Sequence, residues 1–239
     1  LNLLYEKQAQ AFRNLEEEIQ RKEVYMRATS HQLKTPIAAS MLLVDGMTAN
    51  IGKFADRNVY LPEVKKQLKE MMSIVEEASS ISGMADSIEL GRVDIAELCR
   101  ETIGKNRINA DSKGIKLELE TRETEIRWES NRGMLGKILE NLVSNGIKHT
   151  EENGNVKVIV EKRKITVGNK PGHIDESIFG SIFDPFVTGV DNGSSEDRKG
   201  HGLGLYIAKY FAGKLDLKLR GENLQDGVQF VLEKRGRDD

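Results

Sequence analysis

The chain is short of cysteine and of long apolar runs. Its one cysteine, Cys99, excludes an intrachain disulfide framework and fits a reducing compartment. No apolar run approaches the roughly 18 residues that a bilayer-spanning helix needs, and no signal peptide opens the sequence. Charge of one sign is missing too: 36 Lys and Arg against 38 Asp and Glu leave a net charge of −2, so composition offers no polyanion-binding surface. Aromatic residues make up 5% and are not interleaved with a basic stripe, which argues against a nucleic-acid partner. The 239 residues suffice for one large or two ordinary domains. The opening at Leu1, in mid-pattern and without Met, reads as a soluble piece of something longer.

Helix formers dominate residues 1 to about 50. Phe12, Leu15, Ile19, Met26, Leu33, Ile37, Met41 and Val44 recur at helical spacings and mark one apolar stripe. Fifty residues at about 1.5 Å each make a helix of roughly 75 Å, too long for a small monomer to bury. Asn50-Ile51-Gly52 breaks the pattern, and Leu61-Pro62-Glu63 restarts it. Val64, Leu68, Met71, Val75, Ala78 and Ile81 mark a second stripe. An antiparallel hairpin is the expected form, and since one hairpin cannot close a core, a dimeric four-helix bundle is the economical solution.

Beyond a short linker at Ser87 to Val93, helix and strand signals alternate. Helices are expected at 94–109, 131–148 and 203–212, and strands at 115–119, 125–128, 156–160, 165–167, 215–219 and 228–232. That mixture fits an α/β sandwich with helices on one face of a sheet.

Two kinds of segment carry chemistry. His31 stands in Ser30-His31-Gln32-Leu33-Lys34-Thr35-Pro36, in the first helix and beside the apolar stripe, where it can point to solvent. Neutral imidazole is a competent nucleophile near neutral pH. Pro36 removes the N–H that would bond to the Gln32 carbonyl and can bend the helix there. Downstream, Asn141, Asn145 and Lys148 share one helical face; amide oxygens suit Mg²⁺ and a lysine suits phosphate. Val167 to Ile174 forms a turn at a strand end, Ile182-Phe183-Asp184-Pro185-Phe186 follows, and a polar stretch from Val187 to Lys199 has the composition of a mobile lid. It leads into Gly200-His201-Gly202-Leu203-Gly204-Leu205, a glycine turn whose amides and helix dipole can receive phosphates.

In that order the four downstream segments resemble the N box, first glycine box, F box and second glycine box of the GHKL ATPase superfamily. With the His31 segment, which resembles the H box, residues 20 to 235 look like the catalytic core of a bacterial two-component sensor histidine kinase. The resemblance implies an α+β multidomain protein: a helical hairpin dimerising into a four-helix bundle, then a GHKL-type α/β sandwich. The implied boundaries are 1–20 for a signalling helix, 21–86 for the dimerisation and phosphotransfer hairpin, 87–91 for a linker and 92–236 for the ATP-binding domain. It implies ATP and Mg²⁺ as cofactors, with Asn145 holding the metal and Asn141 and Lys148 near the phosphates. Asn169 takes the place of the residue that reads the adenine amino group. Gly172 and Ile174 belong to the first glycine box, and Phe183 and Phe186 anchor the lid. Gly200, His201, Gly202, Leu203, Gly204 and Leu205 surround the phosphates, and His149 stands where the family has an aromatic residue. The implied partners are a second copy through residues 1–86 and a response-regulator receiver domain. Membrane attachment is implied only through a missing N-terminal region, which would make this the cytoplasmic portion of a membrane sensor.

Two departures change the expected chemistry. The first glycine box usually reads Asp-x-Gly-x-Gly, whereas Asn169, Pro171 and His173 stand here. The neutral amide lacks the charge that strengthens a hydrogen bond, so weakened nucleotide affinity is expected. Gln32 replaces the acidic residue that usually follows the histidine, and an amide cannot act as a base at neutral pH. Two readings therefore stand: a kinase that phosphorylates His31, or an ATP-binding dimer impaired as a kinase and biased to phosphatase or scaffold work. Thr35, four residues on from His31, takes the family's place for positioning the water that hydrolyses a regulator's phosphoaspartate.

Overall fold

A computed structural model describes residues 2–83, 88–188 and 202–236, divided into two compact units, Leu1–Ser82 and Gly83–Asp239. Ser87 of the expected linker, Gly200, His201 and most of the Val187–Lys199 stretch lie outside the described residues.

The first unit comprises α1 (Asn2–Thr48), a short 3-10 turn (Gly52–Ala55) and α2 (Arg57–Gly83). Pro36 sits inside α1 and the helix continues through it. Asn50 ends α1 with a left-handed φ of 56°, and the Ile51 N–H donates back to the Gly46 carbonyl at 3.0 Å, the wrap that satisfies terminal helix carbonyls. The turn is held by packing: a Cβ on Gly46 would stand 2.9 Å from the Phe54 ring, whose centroid is 5.0 Å from that of Tyr60. Helix α2 begins four residues before the expected Leu61, because the Asp56 carboxylate accepts from the Asn58 N–H at 3.0 Å and caps the earlier start. Among the α1 residues described, those buried are Tyr25, Thr29, Pro36, Ser40, Gly46 and Met47, whereas Ile19, Met26, Ile37, Met41 and Val44 of the apolar stripe are exposed. On α2, Ile74 is buried while Leu68, Met72 and Val75 are exposed.

The second unit is an α/β sandwich. Strand β1 (Gly91–Asp94) lies where linker was expected and pairs antiparallel with β3 (Arg127–Ser130), Val93 opposite Trp128. Asp94 then caps α3 (Ile95–Asp111) by accepting from Glu97 N–H. Strands β2 (Lys116–Thr121), β4 (Asn155–Val160), β5 (Lys164–Lys170), β6 (Leu217–Leu224) and β7 (Gly227–Lys234) form a five-stranded sheet in the order β2-β4-β5-β7-β6. Strands β2 and β4 run parallel and the other neighbours antiparallel.

Period-2 burial splits the two faces of this sheet. One face presents Val156, Val158, Val160, Ile165, Val167, Phe230, Leu232 and Leu219, all buried beneath α3, α4 (Arg132–His149) and α6 (Gly204–Lys214). The other face carries ion pairs: Lys116 with Glu118, Lys157 with Glu120 at 2.6 Å, and Arg122 with Glu161 at 2.8 Å. A short helix, α5 (Glu176–Phe179), was not expected from the sequence; Asp175 caps it by accepting from Ser177 N–H at 2.8 Å.

Candidate functional site

The site is built along α4, which starts where Asn131 accepts from Met134 N–H at 2.9 Å. Leu135, Ile138, Leu139 and Leu142 bury one side of this helix. Asn141, Asn145 and Lys148 are left half-buried on another, and His149 is exposed at its end. The helix meets the second glycine turn at Asn141: a Cβ on Gly204 would lie 3.8 Å from the Asn141 Cβ. Five residues further on, about 7.5 Å along the axis at 1.5 Å per residue, α4 meets the sheet. There a Cβ on Gly146 would stand 3.3 Å from Val156 and 3.8 Å from the Asn169 Cβ.

Asn169 lies within β5, between Val156 of β4 and Val228 of β7, and not in a turn beyond the strand. Strand pairing on both sides carries the ladder to Asn169, and with β4 to Lys170, although Gly168 and Asn169 are poor strand formers. The Asn169 side chain shares the buried face with Val167 and is 5% exposed. Its Nδ2 is buried without a hydrogen-bond partner among the described residues, and the Asn141 Nδ2 is in the same state. Buried amides left unsatisfied by the protein cost about 1–3 kcal/mol each. Two of them beside one helix, one near the glycine turn and one in the sheet, fit a polar ligand better than a packed core.

The turn after β5 is fixed by a residue that sequence reasoning missed. Asn223, 49 positions on, accepts from Ile174 N–H at 3.0 Å and donates to the Ile174 carbonyl at 2.8 Å. Gly172 leaves room beside Asn169: a Cβ there would come within 2.5 Å of its Nδ2. Exposed His173 lies beyond, and the Asp175 carboxyl is held below the usual range by its Ser177 hydrogen bonds and, to a smaller extent, by His173.

Phe183 and Phe186 are placed differently. The Phe183 ring stands edge-on to Phe230, centroids 6.2 Å apart, with the Lys209 ammonium 4.9 Å above it. Lys209 also donates to the Leu219 carbonyl, and burial lowers its pKa. Phe186 is in backbone contact with the glycine turn: its N–H donates to the Gly202 carbonyl at 2.9 Å. Both residues have a φ of 68°, and a Cβ on Gly202 would sit 2.7 Å from the Phe186 carbonyl carbon, so only glycine fits there. Helix α6 then begins at Gly204 behind buried Leu203, which makes no side-chain cap among the described residues; half-buried Leu205 lies in its first turn, where helix N–H groups suit an anion.

These contacts bring Asn141, Gly146, Asn169, Gly172, Phe186, Gly202 and Gly204 into one assembly. His31, Gln32 and Thr35 lie in the first unit and all three are exposed on α1. Ser30 is tied to the helix by its hydroxyl, which donates to the Met26 carbonyl at 2.8 Å.

The histidine kinase-, DNA gyrase B- and HSP90-like ATPase family matches residues 130–235, the stretch holding every element of this assembly. Sensor protein VanSB of Enterococcus faecalis is 29% identical over 98% of this chain, which spans 55% of that protein. The chain thus covers about half the length of the curated relatives it matches. The nucleotide-free catalytic domain of histidine kinase ThkA is 31% identical, with a TM-score of 0.54, covering 61% of this chain and 97% of that one. Histidine kinase ThkA in complex with response regulator protein TrrA shares the fold over 92% of this chain and 65% of that one, with a TM-score of 0.72 and 24% identity. The chain belongs to the two-component sensor histidine kinases, and its second unit is their GHKL-type ATP-binding domain.

Proposed function

We propose that this chain is a phosphoryl-transfer core in which the second unit holds Mg-ATP and the first supplies the acceptor. The observation that carries the reading is the pair of buried, unsatisfied amides of Asn141 and Asn169 between α4, β5 and the uncapped start of α6. Asn169 and the apolar wall around it receive the base, while Asn141, Lys148 and the α6 amides face the phosphates. Among the described residues no group of three or more His, Cys, Asp or Glu could hold a metal. Asn145 is the residue that would hold Mg²⁺, and the ion would supply positive charge against that developing in transfer.

His31 is the acceptor. Its imidazole nitrogen attacks the γ-phosphorus, the bond to the ADP oxygen breaks, and a P–N bond forms. The ring proton opposite must then leave. Gln32 can accept a hydrogen bond from that N–H but not the proton, so water takes it. Loss of a positioned base typically slows such a step about 10²- to 10⁴-fold. The phosphoryl group then passes to an aspartate of a response-regulator receiver domain. The signal reaches the hairpin along α1 from a membrane sensor region, and a second copy covers the exposed apolar stripes of α1 and α2 in a four-helix bundle. No helix of the described residues is long and apolar enough to cross a membrane.

Gln32 supports a second reading, a dimer that binds ATP but acts mainly as a phosphatase or scaffold, with Thr35 positioning the hydrolytic water. Radiolabelled Mg-ATP separates the two. Acid-labile, base-stable label on the chain that is lost in His31→Ala establishes the kinase. Label only in Gln32→Glu assigns the defect to the missing carboxylate, and silence in both with ATP still bound favours the second reading.

A further inference from the structure

We propose that this site reads the six-position of a purine through a reversible amide, and so accepts 6-oxopurine as well as 6-aminopurine nucleoside triphosphates. The inference rests on the nucleotide-site reading above and specifies its substrate class.

The two ends of the site differ in chemistry. Around Asn141 and the start of α6 it offers amides and helix N–H groups, which suit phosphate. About five residues along α4, the surroundings of Asn169 are apolar: Val156 and Val228 flank it in the sheet, these and Val167 are each less than 5% exposed, and Gly146 and Gly172 approach it without side chains. Asn169 contributes a neutral amide to that wall, in a place suited to the edge of a flat, uncharged heteroaromatic ring. Among the described residues no hydrogen bond engages the Asn169 side chain, so none of them pins its oxygen or its nitrogen to one side.

The donor and acceptor inventory then decides what the amide can read. Adenine presents an amino donor at position six beside the N1 acceptor. Asn169 meets both, with Oδ1 accepting and Nδ2 donating. Guanine and hypoxanthine present a carbonyl acceptor at position six beside an N1–H donor. A 180° rotation of the same amide meets both of these as well. A carboxylate has no donor: it accepts from the adenine amino group but stands against a six-position carbonyl with repulsion. An amide here therefore trades the charge that strengthens an adenine contact for tolerance of the opposite pattern.

Titration of the full chain with ATP and with ITP, whose hypoxanthine tests the six-position without a 2-amino group, examines this directly. Binding is read by calorimetry, with melting temperature as an independent signal. Dissociation constants for ATP and ITP within about tenfold of each other are expected. Asn169→Asp should widen the preference for ATP to about a hundredfold or more, since one good bidentate contact sets discrimination on that scale. ATP bound and ITP at least a hundredfold weaker in the unaltered chain would overturn the inference while leaving the nucleotide site standing. Binding of neither would overturn both. The comparison in the unaltered chain decides the matter even if Asn169→Asp fails to fold.

Discussion

The two units solve the burial problem in opposite ways. In the second, Trp128, Ile138, Leu142, Ile207, Phe211 and Leu232 are each at most 1% exposed, and helices cover the apolar face of the sheet. In the first, the buried apolar residues among those described are Tyr25, Met47 and Ile74, while apolar residues from Tyr5 to Val75 stay exposed. One unit closes its own core around a ligand site. The other presents its apolar stripes and the His31 imidazole outward. The difference teaches where each should be sensitive: the second to changes inside it, the first to changes in what it meets.

The largest expected effect tests the chemistry on the outward-facing unit. Gln32→Glu should raise the rate of acid-labile labelling by about 10²- to 10⁴-fold, the usual worth of a positioned base. Next comes the closed core. Trp128, whose indole N–H donates to the Lys162 carbonyl at 3.0 Å, should cost about 3–5 kcal/mol on change to Ala, read by denaturant unfolding of the second unit. A comparable lesion in the first unit acts differently. Met41→Glu with Met72→Glu places charge on exposed stripes and should halve the mass seen by light scattering, with little change in nucleotide affinity.

Cys99 sharpens the same contrast. Burial pushes its thiol pKa up to about 12, so iodoacetamide at pH 8 should label it only as the second unit opens. Labelling at the free-thiol rate without denaturant would contradict the closed core. The smallest effect is on the solvent face of the sheet. Hydrogen bonds from Lys116, Lys157 and Lys164 hold Glu118, Glu120 and Glu161, respectively, below the usual carboxylate range. A carboxyl whose folded pKa is lowered adds stability above its unfolded value, about 4.3, and loses it as pH falls through the folded value. The melting temperature should therefore dip modestly between about pH 5 and pH 3, and less so in high salt.

Periodicity made the helices and most of the sheet legible, because α4, α6 and β4 keep a clean apolar period. It failed where tertiary pairing overrides local preference. Strand β1 offers only Val93 as an inward apolar residue and exists by pairing with β3, more than thirty positions away. Strand β5 runs past Val167 because β4 and β7 flank it to Asn169. Burial within a single copy of α1 follows another pattern. The stripe Ile19, Met26, Ile37, Met41 and Val44 faces out, whereas the buried positions include Thr29, Pro36 and Ser40, which a search for apolar residues passes over. Within the site, the asparagines, phenylalanines and glycines stood out as motifs. Asn223 did not, since Asn-Leu-Gln-Asp-Gly reads as an ordinary hairpin turn and its hold on Ile174 spans 49 positions.

The most direct measurement locates the phosphoryl group. After incubation with Mg-ATP, tryptic peptides kept at alkaline pH are mapped by mass for a phosphoramidate. The account predicts that it sits on the peptide Ala28–Lys34, at His31. A phosphoryl group carried stably elsewhere on the chain, or none anywhere in both the unaltered chain and Gln32→Glu while ATP binds, would contradict it.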